Sequence, residues 1–267
     1  RSPEICAESA RADKRIHILN QKNAGCAASR NAGIAAAEGK YHRWKENGES
    51  VESGSSLEDE EPDSIAFRFK GFFQSGSLSY DWGKLYRKDF LIEHELWVPQ
   101  YTYAEDKAHN FRCCACEPKY AFVPQSIVLY RENLQSVTFR PKKKLMQNWI
   151  QIASDFEAFL KERRMEKDYG DLMLFHLVIG AMYLAKEEMT YEGKNVSVVR
   201  KLLKQYGSDP FVRKTLTIRN CLHYAVQIKS VFWKLLSFTL VLFLRIHAYG
   251  FLSAILVFMS RLGIDSL

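Results

Sequence analysis

The chain has no apolar run of the roughly 18–20 residues needed to cross a bilayer. Its closest candidates, Leu235 to Leu244 and Phe251 to Met259, are divided by Arg245 and His247. Cysteine lacks a pattern. Of six cysteines, Cys113, Cys114 and Cys116 crowd together with no second matching pair, which supports neither a disulfide framework nor a zinc site and points to reduced thiols in a cytosolic setting. No basic-then-apolar leader opens the sequence, which begins at Arg1; the expectation is no signal peptide and a missing beginning. A concentrated basic groove is also wanting. The 38 Lys and Arg exceed the 31 Asp and Glu by a formal +7, too diffuse for a nucleic-acid partner. Acidic residues gather between Glu46 and Asp63 and basic ones after Arg140, an asymmetry that suits an anionic membrane surface or acidic ligands.

What is present suffices for folding. With 267 residues and 47% of them hydrophobic, the chain can build one good-sized core or two modest ones. Its most informative stretch is Asn23 to Tyr41. Gly25 allows a tight turn, the Ala-rich run from Ala27 to Glu38 favours a helix, and Gly39 can end it in a left-handed cap. Free amides at the start of such a helix attract anions, and Arg30 and Asn31 sit on its first turns, in reach of a phosphate or nucleotide. On spacing alone, a helix that merely packs against a sheet fits as well.

The pattern Asn23-x-Gly25-x-x-x-x-Arg30-Asn31-x-Gly33-Ile34-x-x-Ala37-x-Gly39-x-Tyr41 resembles the nucleotide-binding segment of family 2 glycosyltransferases, inverting enzymes of the GT-A fold. The resemblance implies an α/β fold class: an incomplete GT-A domain over residues 1–140, then an α-helical C-terminal region over 141–267. It reads Ser2 to Ile16 as the helix after the family's first strand and Ile16-His17-Ile18-Leu19 as the next short strand. Relatives run from the equivalent of Tyr41 into a strand ending in an Asp-x-Asp motif, whose carboxylates hold a divalent cation, Mg²⁺ or Mn²⁺, on the sugar nucleotide. Here Tyr41 is followed by His42-Arg43-Trp44-Lys45 and then by a polar, acidic stretch over 42–64, so the strand and the metal carboxylates are expected to be absent. The run Glu58 to Glu61 and Asp63 reads as a solvated loop rather than a substitute metal site.

Ile65 to Phe73 fits an edge strand or a short helix equally. Tyr80-Asp81-Trp82-Gly83-Lys84-Leu85-Tyr86-Arg87-Lys88 resembles the family's acceptor-side segment, where Tyr80 and Trp82 either stack on a sugar ring or belong to the core. Val98 to Asp106 resembles the family's Glu-Asp element. That likeness assigns Asp106 as the general base and Glu105 as the group orienting it or the acceptor, with Asn23, Arg30 and Asn31 on the nucleotide diphosphate. His109 and the nearby cysteines read as packed residues. Tyr120 to Tyr130 alternates like a strand, and Tyr130-Arg131 with Ser136-Val137-Thr138 resembles the close of the catalytic domain. No Gln-x-x-Arg-Trp processivity signature is present, so the inherited activity is a single sugar addition.

Beyond Pro141 to Lys144 the pattern turns helical, with amphipathic spacing over Leu145 to Leu160, Leu172 to Leu184 and Val196 to Tyr206, and a start signal at Ser208-Asp209-Pro210. His176 reads as a satisfied core histidine. The tail over 231–262 reads as a helical hairpin in the membrane interface, with Lys229, Lys234, Arg245 and Arg261 towards headgroups. The competing reading has these helices capping the core or pairing with another subunit. The chain is thereby expected to transfer a sugar from a nucleotide-sugar donor to a saccharide or lipid-linked acceptor in cell-surface polysaccharide synthesis, at the cytoplasmic face of the membrane. A non-catalytic remnant that binds a saccharide or partner through Tyr80, Trp82 and Glu105 is the alternative.

Overall fold

The computed structural model describes residues 2–38, 57, 60–122, 141–142 and 144–263, and the backbone course of 41–43. Twelve α-helices, one π-helical turn and one two-stranded antiparallel ribbon account for the regular structure among them. In chain order the α-helices and strands are α1 (Ser2–Ala12), α2 (Gly25–Ala36), β1 (Tyr41–Arg43), α3 (Ile65–Phe69), β2 (Leu85–Arg87), α4 (Lys88–Glu93), α5 (Glu105–Ala115), α6 (Leu145–Arg163), α7 (Glu166–Glu192), α8 (Val196–Ser208), α9 (Pro210–Thr215), α10 (Ile218–Ala225), α11 (Val231–Arg245) and α12 (Tyr249–Arg261). Most of the acidic stretch over 42–64, the part of the expected strand after residue 122 and the motif at Ser136 to Thr138 lie outside the described residues.

One expected strand does not form. Ile16 to Leu19 makes no ladder with any described residue, and Ile16, Ile18 and Leu19 are each exposed. Without a neighbour to pair its amides and cover its side chains, a four-residue apolar run gains nothing from being extended. The ambiguous stretch at Ile65 is helical: Ser64 caps α3 by accepting from the Phe67 amide, and the chain continues into one π-helical turn, Lys70–Gln74. In the ribbon, Tyr41 stands opposite Arg87, His42 opposite Tyr86 and Arg43 opposite Leu85.

α7 organises the rest. Its 27 residues pack against α3, α6, α8, α10, α11 and α12. Every residue from Tyr169 to Met182 is buried, so this segment is not the amphipathic helix expected from its spacing. A helix apolar all round has to be covered on all sides. Gly180 permits one close approach: a Cβ there would lie 2.3 Å from Trp149 Nε1, the atom that donates to the His176 carbonyl at 2.8 Å. His176 stacks on Trp149, faces the Trp149 carbonyl at 3.0 Å through Nε2, and is held neutral by burial, which pushes its pKa down to about 3.

One large core crosses the boundary expected at residue 140. Phe69 meets Phe175 edge-on at 4.6 Å, and Phe111 lies 5.4 Å from Phe156, so aromatic residues before the boundary pack into helices after it. A smaller core of Ala27, Ile34, Leu91, Leu96 and Val98 seats α2 on the segment around α4. Several helices carry side-chain caps. Asp209 accepts from the Phe211 and Val212 amides with Pro210 at the first helical position, and Asn195 accepts from Ser197 at the head of α8.

The two sides of the boundary are also tied by charge. Arg68 Nε donates to Asp171 Oδ2 at 2.9 Å and Nη2 to Oδ1 at 2.8 Å, with the two side chains 5% and 0% exposed. Arg68 further donates to the Asp168 and Asp63 carbonyls and lies 4.7 Å over the Tyr169 ring. Removing one partner leaves the other buried and unpaired. Arg68→Met or Asp171→Leu alone is therefore expected to cost about 3–5 kcal/mol in denaturant unfolding, while the double variant recovers most of that loss. Additive losses in the double variant would show that the two charges are uncoupled.

Candidate active site

Three short segments far apart in sequence meet at the start of α2 and α5. At α2, the Asn23 side chain accepts from the Gly25 amide at 3.1 Å, and Gly25 takes φ +89, a left-handed conformation that a side chain would oppose. α2 has no side-chain cap at Ala24 and ends at Ala36, where Ala37 turns extended. At α5, the residue before the helix is Ala104 with φ 57, a conformation unusual outside glycine. Glu105 and Asp106 then occupy the first turn, where the helix dipole favours carboxylates.

Arg30 joins the two helix starts. Its Nη1 donates to Glu105 Oε1 at 2.9 Å across 75 positions of sequence and lies 3.4 Å from Asp81 Oδ2. Asn31 does something different from the diphosphate contact expected of it. Its amide donates to the Val98 carbonyl at 2.9 Å and accepts from the Val98 amide at 2.8 Å, so both ends of the side chain fasten α2 to the loop before α5. Asn23 likewise spends its oxygen on a local turn and remains exposed.

Asp81 is the centre of a buried polar network that sequence reasoning missed. Its side chain is 0% exposed. Oδ1 accepts from Asn110 Nδ2 at 2.8 Å, from His109 Nδ1 at 3.0 Å and from the Tyr86 hydroxyl at 3.3 Å, while Oδ2 accepts no hydrogen bond and faces Arg30. His109 Nε2 faces the Leu96 carbonyl at 3.2 Å. Acceptors at both ring nitrogens favour a proton on each, and the Cys113 sulfur also lies 3.5 Å from Nε2. Burial opposes the resulting charge, but the Cys113 sulfur and the Asp81 carboxylate outweigh it and push the His109 pKa up to about 10. The available signal was the spacing of Asp106, His109 and Asn110, which sets them on one side of α5.

Asp106 itself accepts from the Lys107 amide at 2.8 Å. Burial pushes its pKa up to about 6, and the Glu105 charge adds to the effect, while the Lys107 amide and Arg30 oppose it. Lys84 stands on the same side, donating to the Ser77 carbonyl at 2.7 Å and to the Tyr80 carbonyl, and burial draws its pKa down to about 8 against the pull of Asp81 and Asp106. Tyr80 and Trp82 flank the inward Asp81 on the chain and stack on each other with centroids 4.8 Å apart at 17°, Tyr80 being exposed and Trp82 half-buried. The result is an aromatic platform on the same segment as Asp81, which with Glu105 and Asp106 forms a carboxylate cluster that the Arg30 guanidinium offsets only in part. Among the described residues, no three His, Cys, Asp or Glu side chains are placed to hold a metal ion.

The raised Asp106 pKa has a consequence for stability. A carboxyl whose folded pKa lies above its unfolded value near 4 destabilises the fold once ionised, so its contribution is full below about pH 4 and lost as pH rises through about 6. Asp106→Asn removes that charge and keeps an oxygen for the Lys107 amide. It is expected to stabilise the protein by roughly 1–2 kcal/mol at pH 8, a rise of about 2–6 °C in Tm, and to make no difference at pH 4. Equal melting of the two proteins at both pH values would show that Asp106 is ordinarily solvated.

No family model matches the chain, and no solved structure matches it. Two curated proteins of Bacillus subtilis (strain 168) are similar. One bears the name "Putative glycosyltransferase EpsH" and is 23% identical over 271 residues, covering 83% of this chain and 78% of that protein. The other, "Uncharacterized glycosyltransferase EpsJ", is 25% identical over 188 residues, covering 57% of this chain and 55% of that protein. In the second match the chain spans about half the length of its relative. By these likenesses the chain is glycosyltransferase-like.

Proposed function

We propose that this protein is an inverting glycosyltransferase of the family 2, GT-A kind, which transfers one sugar from a nucleotide-sugar donor to a saccharide or lipid-linked acceptor. The observation that carries the reading is the meeting of Arg30 with Glu105 beside Asp106, whose pKa is raised to about 6. A base in inverting transfer has to take the proton of the acceptor hydroxyl as the donor carbon is attacked from the opposite face. A carboxylate with a pKa near 6 is ionised at neutral pH yet more basic than an ordinary aspartate, which is the compromise such a step requires.

Each neighbouring group has a part in that scheme. Arg30, with the free amides of the first turn of α2, offers positive charge to the diphosphate that departs. Glu105 holds Arg30 when no donor is bound. Asp81, kept in place by the His109 imidazolium, fixes the other side of the guanidinium and raises the Asp106 pKa through its charge. The Tyr80 and Trp82 platform supplies an apolar face for a sugar ring. Asn31 acts indirectly, by locking the Val98 loop that leads into Glu105 and Asp106. No step here is routed through the divalent cation implied by the resemblance, since no group of three His, Cys, Asp or Glu side chains among the described residues is placed to hold one. The setting we propose is cell-surface polysaccharide synthesis at the cytoplasmic face of the membrane; among the described residues no helix is long and apolar enough to cross one.

The test is transfer or hydrolysis of nucleotide sugars with Mg²⁺ or Mn²⁺ supplied. Asp106→Asn is expected to lower kcat about 10²–10⁴-fold with donor binding unchanged in calorimetry, and kcat of the wild type should fall below about pH 6 as the base is protonated. Donor binding without turnover in the wild type would favour the non-catalytic binding protein. Absence of any nucleotide-sugar binding would remove the enzyme reading altogether.

A further inference from the structure

We propose that α10, α11 and α12 together form a docking face for an anionic lipid bilayer and lie flat in its interface. Half of the large apolar side chains exposed among the described residues fall between Ile218 and Leu262. Their spacing is regular. At α10, Leu222 and the capping Val226 that follows its last turn are 53% and 52% exposed; on α11, Leu235 and Leu242 are 63% and 43% exposed; on α12, Phe251 and Phe258 are 62% and 61% exposed. Separations of four and seven put each pair on one side of its helix. The other sides are already used, since Leu240, Leu244, Leu252 and Leu256 are buried where α11 and α12 pack on α7 and α8. Each helix is thus apolar towards the core and apolar again towards solvent. The Phe243 ring meets Phe251 edge-on at 5.2 Å, joining the stripes of α11 and α12 at their connection.

Charge selects the occupant. From Pro210 to Gly263 there is no Asp or Glu, while Arg213, Lys214, Arg219, Lys229, Lys234, Arg245 and Arg261 all fall within it. Taking these seven from the 38 Lys and Arg leaves 31, as many as all the Asp and Glu of the chain, so the whole formal +7 resides in this segment. Lys214 and Lys229 are each met by a carboxylate from elsewhere, Glu157 and Glu60, and the remainder is an uncompensated basic surround to an apolar face. A nucleic acid would use the charge and waste the apolar stripe; a bilayer with anionic headgroups uses both. The helices also have the right reach. At 15 and 13 residues, α11 and α12 are only about 20 Å long, too short to cross the roughly 30 Å hydrocarbon core and suited to lie along its boundary.

Co-flotation of the full chain with vesicles tests this without any donor or acceptor, so its failure is separate from failure of the sugar-transfer reading. Vesicles of phosphatidylcholine with about one quarter phosphatidylglycerol should carry the protein at low ionic strength, and pure phosphatidylcholine should carry at least tenfold less, as should the anionic vesicles at high salt. Leu235→Glu with Phe258→Glu should lower partitioning to anionic vesicles at least tenfold with an unchanged circular dichroism spectrum and Tm, both sites being exposed. The lipid comparison needs no variant and stands if that variant fails to fold. Equal partitioning to both vesicle types, or none to either, overturns the proposal. So does a dimer in light scattering that the double variant dissolves without any vesicle binding, which would give the face to a second copy of the chain.

Discussion

Arg68 and Asp171 are both removed from water, and everything that holds the molecule together is compatible with their meeting. Neither charge can be buried alone without a penalty of several kcal/mol, so α3 has to dock where Asp171 projects from α7. That contact sets the aromatic residues of the preceding half, Phe69 and Phe73 among them, against Phe175. It also places the turn after α3, and with it Tyr80, Asp81 and Trp82, at a fixed distance from the helices that carry the other site residues. The pair gives position more than net stability, because directionless apolar packing alone would allow several docking angles.

The candidate site depends on a second buried charge arrangement built on the same logic. Asp81 is ionisable, wholly buried and made tolerable by an imidazolium on one oxygen and a guanidinium near the other. Such a network is rigid, since each member would be left uncompensated if it moved. Rigidity matters for Arg30, whose long side chain otherwise has many rotamers, and for Asp106, whose basicity depends on nearby carboxylates staying put. The non-glycine left-handed residue Ala104 at the head of α5 fits this picture, since the backbone there is held by its surroundings rather than by its own preference.

The two proposed functional surfaces thus draw on different physics. The cluster at α2 and α5 concentrates opposite charges in a partly dry setting, where they shift each other's protonation. The face of α10 to α12 spreads charge of one sign around apolar side chains, an arrangement that does nothing for the fold and is costly in water.

Local structure was largely legible in the sequence. Helices at Leu145 and Val196 follow from 3.6-residue spacing, and the start of α9 follows from Asp209 and Pro210, because capping and periodicity act within one or two turns, whereas the Leu172 segment is helical but buried on every side rather than amphipathic. The likeness to glycosyltransferases was legible too, through Asn23 to Tyr41 and the Glu105-Asp106 pair, and Arg30 does reach that pair. What only the tertiary structure decided are the states and partners that depend on long-range contact. Whether Ile16 to Leu19 becomes a strand depends on a neighbour that its own residues cannot supply. That Asn31 clasps Val98, that His109 is charged and that Asp81 is buried are consequences of pairings between residues tens of positions apart. Which side of α11 and α12 faces water is likewise a matter of how they seat on α7 and α8, since helices apolar on both sides contain no instruction about which side to bury.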